Sequence, residues 1–182
     1  MKKILISLVL SLTLLTVNAA NYEVDSSHTN VIFKINHLGI ADTYGAFMET
    51  TGNFNLEDNK FEFTIKVDKI NTFNEKRDQH LKSPDFFNAK QFPVIKFKGS
   101  KVKALGGDRY EVTGNLLLHG VKKKLTVEVV KTGEGKDPWG GYRQGLHANF
   151  TIKRSDFGMK YMLEGIGDEV EIFFSSEGLK KK

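Results

Sequence analysis

The side chains best suited to polar chemistry form a charged cluster at Arg77, Asp78 and His80. A guanidinium and an imidazole in one loop can hydrogen-bond a phosphate, a carboxylate or an amide. The same spacing suits a structural role, in which Asp78 pairs with Arg77 or caps a turn while His80 anchors the loop. The residues favour the structural role, and recognition of a polar headgroup by Arg77 or His80 is the alternative.

Sequence motifs for catalysis and metal binding are missing from the chain. It contains no G-x-S-x-G nucleophile elbow, and its five histidines show neither H-x-H nor H-E-x-x-H spacing. Paired carboxylates fall on the polar faces of the predicted strands, where water solvates them. Only convergence of histidines from different strands would provide a metal site. We therefore predict a binding protein that is not an enzyme and that needs no metal or cofactor.

Strands must position these side chains, because the hydrophobic pattern repeats every two residues along most of the chain. Apolar and polar residues alternate in the segments 31–36, 61–68, 95–98, 110–118, 125–129, 146–152 and 170–174. With the segment 44–56 and the turn signals between segments, the pattern indicates about eight strands. Ser83 and Pro84 have the residue types of a helix start and predict one short helix near 84–89. The sequence thus predicts an all-β antiparallel meander, closed into an eight-stranded barrel so that no edge is unpaired.

The interior of this barrel is the functional question. Lysines such as Lys34, Lys66 and Lys96 occupy the polar faces, so the outside cannot face lipid as in an outer-membrane barrel. An eight-stranded barrel is either filled by side chains or wide enough for one small ligand. Most of the 14 phenylalanines lie on the inward parity or in the segment 71–97. The residues alone leave a filled core and a lipid cavity equally open.

The first residues predict export. Lys2 and Lys3 precede an apolar run at 4–17, and Val17-Asn18-Ala19 offers the small residues of a cleavage site. This pattern is typical of a secretory signal peptide over residues 1–19, which leaves one domain at 20–182. Because the chain contains no cysteine, it is neither a lipid-anchored lipoprotein nor a disulfide scaffold. We predict a periplasmic or secreted protein.

The charge of the mature chain excludes one class of partner. Without Lys2 and Lys3, 25 of the 27 basic residues remain against 22 acidic ones, a net charge near +3. This excess is too small and dispersed for nucleic-acid binding. The lysine run at 122–124 is best explained as solvated surface, with a weak attraction to anionic lipid headgroups as the alternative.

Several segments, in order along the mature chain, resemble the YceI-like family of periplasmic polyisoprenoid- and lipid-binding proteins. They are D-S-S-H-T-N-V-I-F at 25–33, H-L-G at 37–39, Y-G-A-F at 44–47, R-D-x-H-L-x-S-x-D-F-F at 77–87, F-P-x-I-x-F at 92–97, R-S-D-F-G-M at 154–159 and G-D-E-V at 167–170. The segment 114–121 is similar to the family pattern G-x-L-T-x-x-G-V/I, except that Leu117 replaces the threonine. The segment 77–97 is the most specific of these signatures.

The resemblance implies a lipocalin-like extended barrel that binds a long amphiphilic lipid, a polyisoprenoid or a fatty-acyl derivative such as a fatty acid or amide. Storage and transport are the implied roles, with a homodimer as the implied assembly and at most transient contact with a membrane surface. Burial of each methylene contributes about 0.8 kcal/mol, so a long chain needs no charged anchor. The alternative is a non-lipid interaction module with a filled barrel, which dimerises through its outer surface near Ile32 and Phe173.

The implied ligand-binding residues fall into three groups. Those expected to line the tunnel are Phe33, Ile35, Phe63, Ile65, Phe97, Leu116, Leu118, Phe150, Ile152 and Ile172. Those expected to form flexible walls or a gate are Phe86, Phe87, Phe92, Phe157 and Met159. Arg77 and His80 are the candidates for contact with the headgroup.

Overall fold

The alternating segments form antiparallel β-strands, with one short helix between two of them, in a computed structural model that describes residues 20–181. The strands are β1 (Tyr22–His37), β2 (Ala41–Phe47), β3 (Thr50–Asn55), β4 (Lys60–Lys66), β5 (Ile70–Asn71), β6 (Val94–Gly106), β7 (Arg109–Leu118), β8 (Val121–Lys136), β9 (Tyr142–Lys153) and β10 (Ile166–Lys180). The helix is α1 (Glu75–Lys82). The predicted signal peptide lies outside the described residues. Between residues 20 and 181, no helix is long and apolar enough to cross a membrane.

The predicted eight-stranded closed barrel is confirmed. The sheet order is β10-β9-β8-β7-β6-β4-β3-β1-β2-β5, and pairing of β1 with β10 closes a ring of eight strands. The other two strands, β2 and β5, pair beside β1 at one end. The segment 44–56, expected as one strand, divides at Met48 and Glu49. There the Met48 amide donates to the Lys69 carbonyl, and the Lys66 amide donates to the Glu49 carbonyl. The division lets β2 turn outward to β5 while β3 stays in the wall.

The predicted helix position at 84–89 is wrong. The helix α1 ends before the predicted start, at Lys82, and the Asn74 side chain caps it by accepting from the Arg77 amide at 2.9 Å. Asparagine is as good an N-cap as serine. Ser83 is the C-terminal cap with an extended backbone, which the ring of the following Pro84 favours. Residues 84–87 form turns instead.

An aromatic plug fills one end of the barrel. We define the plug as Tyr22, Phe54, Phe61 and Phe63, all of which are buried. The ring of Phe54 lies 5.4 Å from that of Tyr22, 6.1 Å from that of Phe61 and 6.2 Å from that of Phe63. We call this end the plug end. The opposite end, which carries α1, is the α1 end.

A bulge in β1 explains the D-S-S-H-T segment. The register to β10 shifts between Asp25 and Asn30. The Asp25 carboxylate accepts from the Ser27 amide at 3.0 Å and from Arg143 at 2.7 Å, and its Oδ2 lies 2.9 Å from Nδ1 of His28. These residues therefore hold the backbone of β1 and tie it to β9.

The carboxylate of Asp25 should stabilise the fold above acidic pH. The hydrogen bond from Arg143, followed by that from Ser27, lowers the pKa of Asp25 well below its ordinary value near 3.8. Because the folded-state pKa is lowered, the stabilisation is present above the unfolded-state pKa and is lost as the pH falls toward the folded-state value. We expect Asp25→Asn to lower the Tm at about pH 7, and the difference from wild type to shrink at about pH 2. Thermal unfolding at both pH values measures this, and a pH-independent difference would contradict it.

Candidate functional site

The α1 end of the barrel is hollow. A cavity of about 410 Å³ extends from the plug toward α1, and its lining is almost entirely apolar. Ligand-binding pockets commonly have volumes of about 300–1,000 Å³. The sequence left open whether the barrel has a filled core or a cavity. The structure has both, because the barrel is filled at the plug end and hollow at the α1 end.

Most of the predicted site residues line this one cavity. Of the fifteen apolar candidates the structure places thirteen there, namely Phe33, Ile35, Phe63, Ile65, Phe86, Phe87, Phe97, Leu116, Leu118, Phe150, Ile152, Met159 and Ile172. Arg77 and His80, the two headgroup candidates, line it as well. Contact of these residues with a ligand stays a prediction.

Phe92 and Phe157 do not line the cavity, which corrects their expected place in its wall. Phe92 packs on the turn between β7 and β8, where its ring lies 4.8 Å from that of His119. The ring also packs against Gly120, in the space that a Cβ atom would occupy. Phe157 is buried in a 3₁₀ turn, and its carbonyl oxygen lies 3.0 Å from Nδ1 of His119. Both rings stabilise turns at the α1 end. The sequence could not separate them from wall residues, because neither lies on a strand with a readable parity.

Arg77 is held in place by a small hydrogen-bond network. Its Nε donates to Oγ1 of Thr72 at 2.8 Å, and its Nη2 donates to the Thr72 carbonyl. The Thr72 amide donates in turn to the Asp78 carboxylate at 2.8 Å. The expected pairing of Asp78 with Arg77 is thus indirect and passes through Thr72. This network fixes one side of the guanidinium beside the cavity.

His80 belongs to a group of rings on the same side of the cavity. Its Nε2 lies 2.9 Å from the Asp85 carboxylate, and its ring lies 5.1 Å from Phe86. The ring of Tyr161 lies 5.6 Å from His80 and 5.2 Å from Phe86. Tyr161 belongs to the loop 160–165, which we call the mouth loop. The contacts bring α1 and the mouth loop together over the cavity, and we call this region the mouth.

The sequence interpretation missed Arg154, which also lines the cavity and is only 3% exposed. Its guanidinium donates to the carbonyls of Met159 at 2.9 Å, Ile166 at 2.8 Å and Gly167 at 2.8 Å. Burial lowers the pKa of Arg154, although the nearby charge of Asp168 opposes this effect. One buried arginine therefore joins both ends of the mouth loop.

A signal for Arg154 was present in the sequence. The inward positions of β9 are Leu146, Ala148, Phe150 and Ile152, and the next position of that parity is Arg154. A charged residue on an inward parity indicates either a buried network or a site. The cavity also has apolar lining residues that the sequence interpretation did not propose as ligand contacts, among them Phe47, Phe61, Val127, Val129, Ala148 and Phe174.

The other chemistry considered for this chain concerns metals. In the part of the chain that the structure describes, no group of three or more histidine, aspartate and glutamate side chains is arranged to hold a metal ion. The polar groups that do line the cavity are Asn36, His37, Thr43, Arg77, His80, Arg154 and Tyr161. All belong to segments at the α1 end. The cavity is consequently amphiphilic, apolar toward the plug and polar at the mouth.

Two solved structures share this architecture. The YceI protein of Campylobacter jejuni is 29% identical and matches with a TM-score of 0.69, covering 81% of this chain and 90% of that one. A polyisoprenoid-binding domain from Saccharophagus degradans, described as implicated in plant cell wall breakdown, matches with a TM-score of 0.73 over 90% of this chain and 100% of that one. At 16% identity, the second match shows a shared fold.

Sequence comparison extends the match to the family. A UPF0312 protein of Photorhabdus laumondii is 39% identical over 192 residues, which cover 100% of both chains. The family profile described as the YceI-like domain matches residues 22–177, almost the whole barrel. The chain therefore belongs to the YceI-like domain family.

Proposed function

We propose that this protein binds one long-chain amphiphilic lipid, a polyisoprenoid or a fatty-acyl derivative, for storage or transport. The main support is the polarity of the cavity, which is apolar near the plug and polar at the mouth. An amphiphile bound with its tail toward the plug would match both parts. The headgroup would then lie near Arg77 and His80, whose polar atoms flank the mouth.

The energetics support a ligand of this class. Burial of an apolar chain contributes about 0.8 kcal/mol per methylene, so ten methylenes contribute roughly 8 kcal/mol before the costs of association. That driving force is non-directional. Selectivity would therefore come from the depth of the cavity and from the polar groups at its mouth.

The relatives support binding in place of catalysis. The Saccharophagus degradans domain with the same fold is named for polyisoprenoid binding. The alternative function predicted from the sequence is an interaction module with a filled barrel. The hollow α1 end does not match that alternative. We therefore favour the lipid carrier.

Location and assembly are part of the proposal. The signal-peptide pattern at 1–19 supports export to the periplasm or the medium, with a mature chain that begins at Ala20. A homodimer through the outer face of β1 and β10 is supported by Ile32 and Phe173, which lie opposite each other in the register of the two strands. Both are apolar on a face that is otherwise polar.

Native mass spectrometry of protein purified gently from the cells that make it tests the proposal. We expect the mass of a chain that starts at Ala20 plus a discrete surplus, which solvent extraction releases as an isoprenoid or acyl lipid. The same spectrum reports whether the protein is a monomer or a dimer. The extracted headgroup shows whether an arginine could bind it.

Protein that has been stripped with solvent and refolded is the control, since it should take up added long-chain lipid at one molecule per chain. A bare mass from cells, together with no uptake of added lipids, would contradict the lipid-carrier proposal. A surplus that extracts as a water-soluble compound would contradict the ligand class.

A further inference from the structure

Large apolar side chains surround the mouth on its outer side. We define the mouth rim as Leu38, Ile40, Phe73, Met162 and Leu163, which are between 38% and 84% exposed. They lie in the turn between β1 and β2, before α1 and in the mouth loop, and the Leu38 amide donates to the Gly165 carbonyl at 2.7 Å. Except for Met162, none of them lines the cavity. The exposure of the other four is therefore not explained by the ligand site.

The backbone holds three rim residues in an unfavourable conformation. Leu38, Phe73 and Met162 have φ values of +57°, +62° and +48°. This left-handed region is uncommon for residues other than glycine, asparagine and aspartate, and it is costly for bulky side chains. For Phe73, the side chain of Asn71 stabilises the turn by accepting from the Phe73 amide at 2.8 Å. A large apolar residue kept exposed in a strained turn points to a function for its exposure.

The charge at the α1 end is positive. In the segments at the α1 end (37–49, 66–98, 115–124 and 153–170), the lysines that make no ion pair with another described residue are Lys76, Lys82, Lys90, Lys96, Lys122, Lys124, Lys153 and Lys160. The carboxylates without such a pair are Glu75, Asp78, Glu164, Asp168 and Glu169. Of these, Asp78 and Asp168 accept internal hydrogen bonds from Thr72 and Ser155. The α1 end thus combines exposed apolar side chains with a surplus of free lysines.

A cluster of these lysines lies on the outer wall just below the turn between β7 and β8. In the strand register, Leu117 of β7 is flanked by Lys96 of β6 and Lys122 of β8. One step along, Asn115 is flanked by Lys98 and Lys124, of which Lys98 pairs with Glu62 at 2.9 Å. The lysine run at 122–124, which the sequence explains as solvated surface, is thereby concentrated with Lys96 into one basic patch.

We propose that the mouth rim and the free lysines of the α1 end together form a docking surface for an anionic lipid bilayer, with the mouth turned toward the membrane. Exposed apolar side chains at a membrane surface enter the boundary between headgroups and acyl chains, and lysines near that surface are attracted by anionic headgroups. A second copy of this chain is a poorer occupant, because contact through the rim would bring two basic ends together. Docking does not require a filled cavity, so its test is independent of the proposed cargo.

The single tryptophan provides a direct test of orientation. Trp139 is exposed in the loop between β8 and β9, at the plug end. Chains whose intact mass starts at Ala20 are used, because an uncleaved apolar leader would itself enter vesicles. With vesicles of phosphatidylcholine and phosphatidylglycerol, we expect the fluorescence of wild-type Trp139 to stay unchanged. Ile40→Trp, made in a Trp139→Phe background, is expected to shift its emission to the blue.

Matched variants test the rim and the lysines by co-flotation with the same vesicles. Leu163 in the rim and Leu105 near the plug end are both 38% exposed. We expect Leu163→Ser to weaken vesicle binding by about tenfold and Leu105→Ser to leave it unchanged. Replacing Lys122 and Lys124 by glutamine should weaken vesicle binding by about fivefold per lysine. The same change at Lys101 and Lys103, nearer the plug end, should have little effect.

Four results with vesicles would each overturn the docking surface. They are a blue shift of Trp139 on vesicles, equal binding to vesicles of phosphatidylcholine alone, equal effects of the matched variants, and no binding to either kind of vesicle. A blue shift of the Ile40→Trp probe without vesicles, rising with protein concentration, would assign the rim to a second copy and also overturn it. Thermal unfolding of each variant identifies any loss that comes from misfolding.

Discussion

An Ala148→Phe variant should bind long-chain lipids far more weakly than the wild type, while its affinity for shorter chains stays nearly the same. Ala148 is buried on β9, opposite Phe174 in the register, and lines the cavity beside the aromatic plug. A ring added there occupies the deep end of the cavity. It would exclude roughly four methylenes of a bound chain, which corresponds to about 3 kcal/mol or a roughly 200-fold loss of affinity.

Titration with a series of saturated fatty acids of increasing length measures this effect. We expect the affinity of the wild type to rise with each added methylene, and that of Ala148→Phe to stop rising at a shorter length. The control is Asn149→Phe, which adds the same ring at the exposed neighbouring position. An equal loss for short and long chains would indicate general damage to the barrel. Unchanged affinities would mean that the chain does not reach the plug.

The second large effect concerns stability and follows from the burial of Arg154. An Arg154→Met variant leaves three backbone carbonyls, at Met159, Ile166 and Gly167, without their donor. An unsatisfied buried polar group costs about 1–3 kcal/mol. Even if water reaches one of the carbonyls, the other two cost about 2–6 kcal/mol together. A loss near the middle of that range, about 4 kcal/mol, corresponds to a fall of about 8–16 °C in Tm for a chain of this size.

Thermal unfolding of Arg154→Met and Arg154→Lys provides the measurement. Lysine keeps the charge but lacks the planar fork that reaches three carbonyls, so an intermediate Tm is expected. Hydrogen exchange should rise first in the mouth loop, because both of its ends depend on this side chain. A Tm of Arg154→Met within a degree of the wild type would contradict the stabilising role of Arg154. Retention of lipid by the folded variant would separate its role in stability from any contact with the headgroup.

The sequence interpretation of the barrel interior was based on strand parity. In a strand successive side chains point to opposite faces, so Phe33, Ile35, Phe150 and Ile152 could be assigned to the inside from their spacing alone. The same rule would have found Arg154, had a charged residue on an inward parity been weighed as a signal. It failed for Phe92 and Phe157 because turns have no period. The helix was misplaced for another reason, because only Ser83 was considered as its N-cap and Asn74, an equally good cap by residue type, was not.

The amino-acid sequence by itself determined the all-β class, the closed barrel and which faces of the strands are apolar, because these depend on a local period of two. Only the tertiary structure decided that the barrel is filled at one end and hollow at the other. That difference depends on how the rings of Tyr22, Phe54, Phe61 and Phe63 meet across strands that are far apart in the chain. The arrangement of the mouth is likewise tertiary, since α1, the mouth loop and the rim come from separate segments. Packing across the barrel fixes their positions, and no local pattern encodes it.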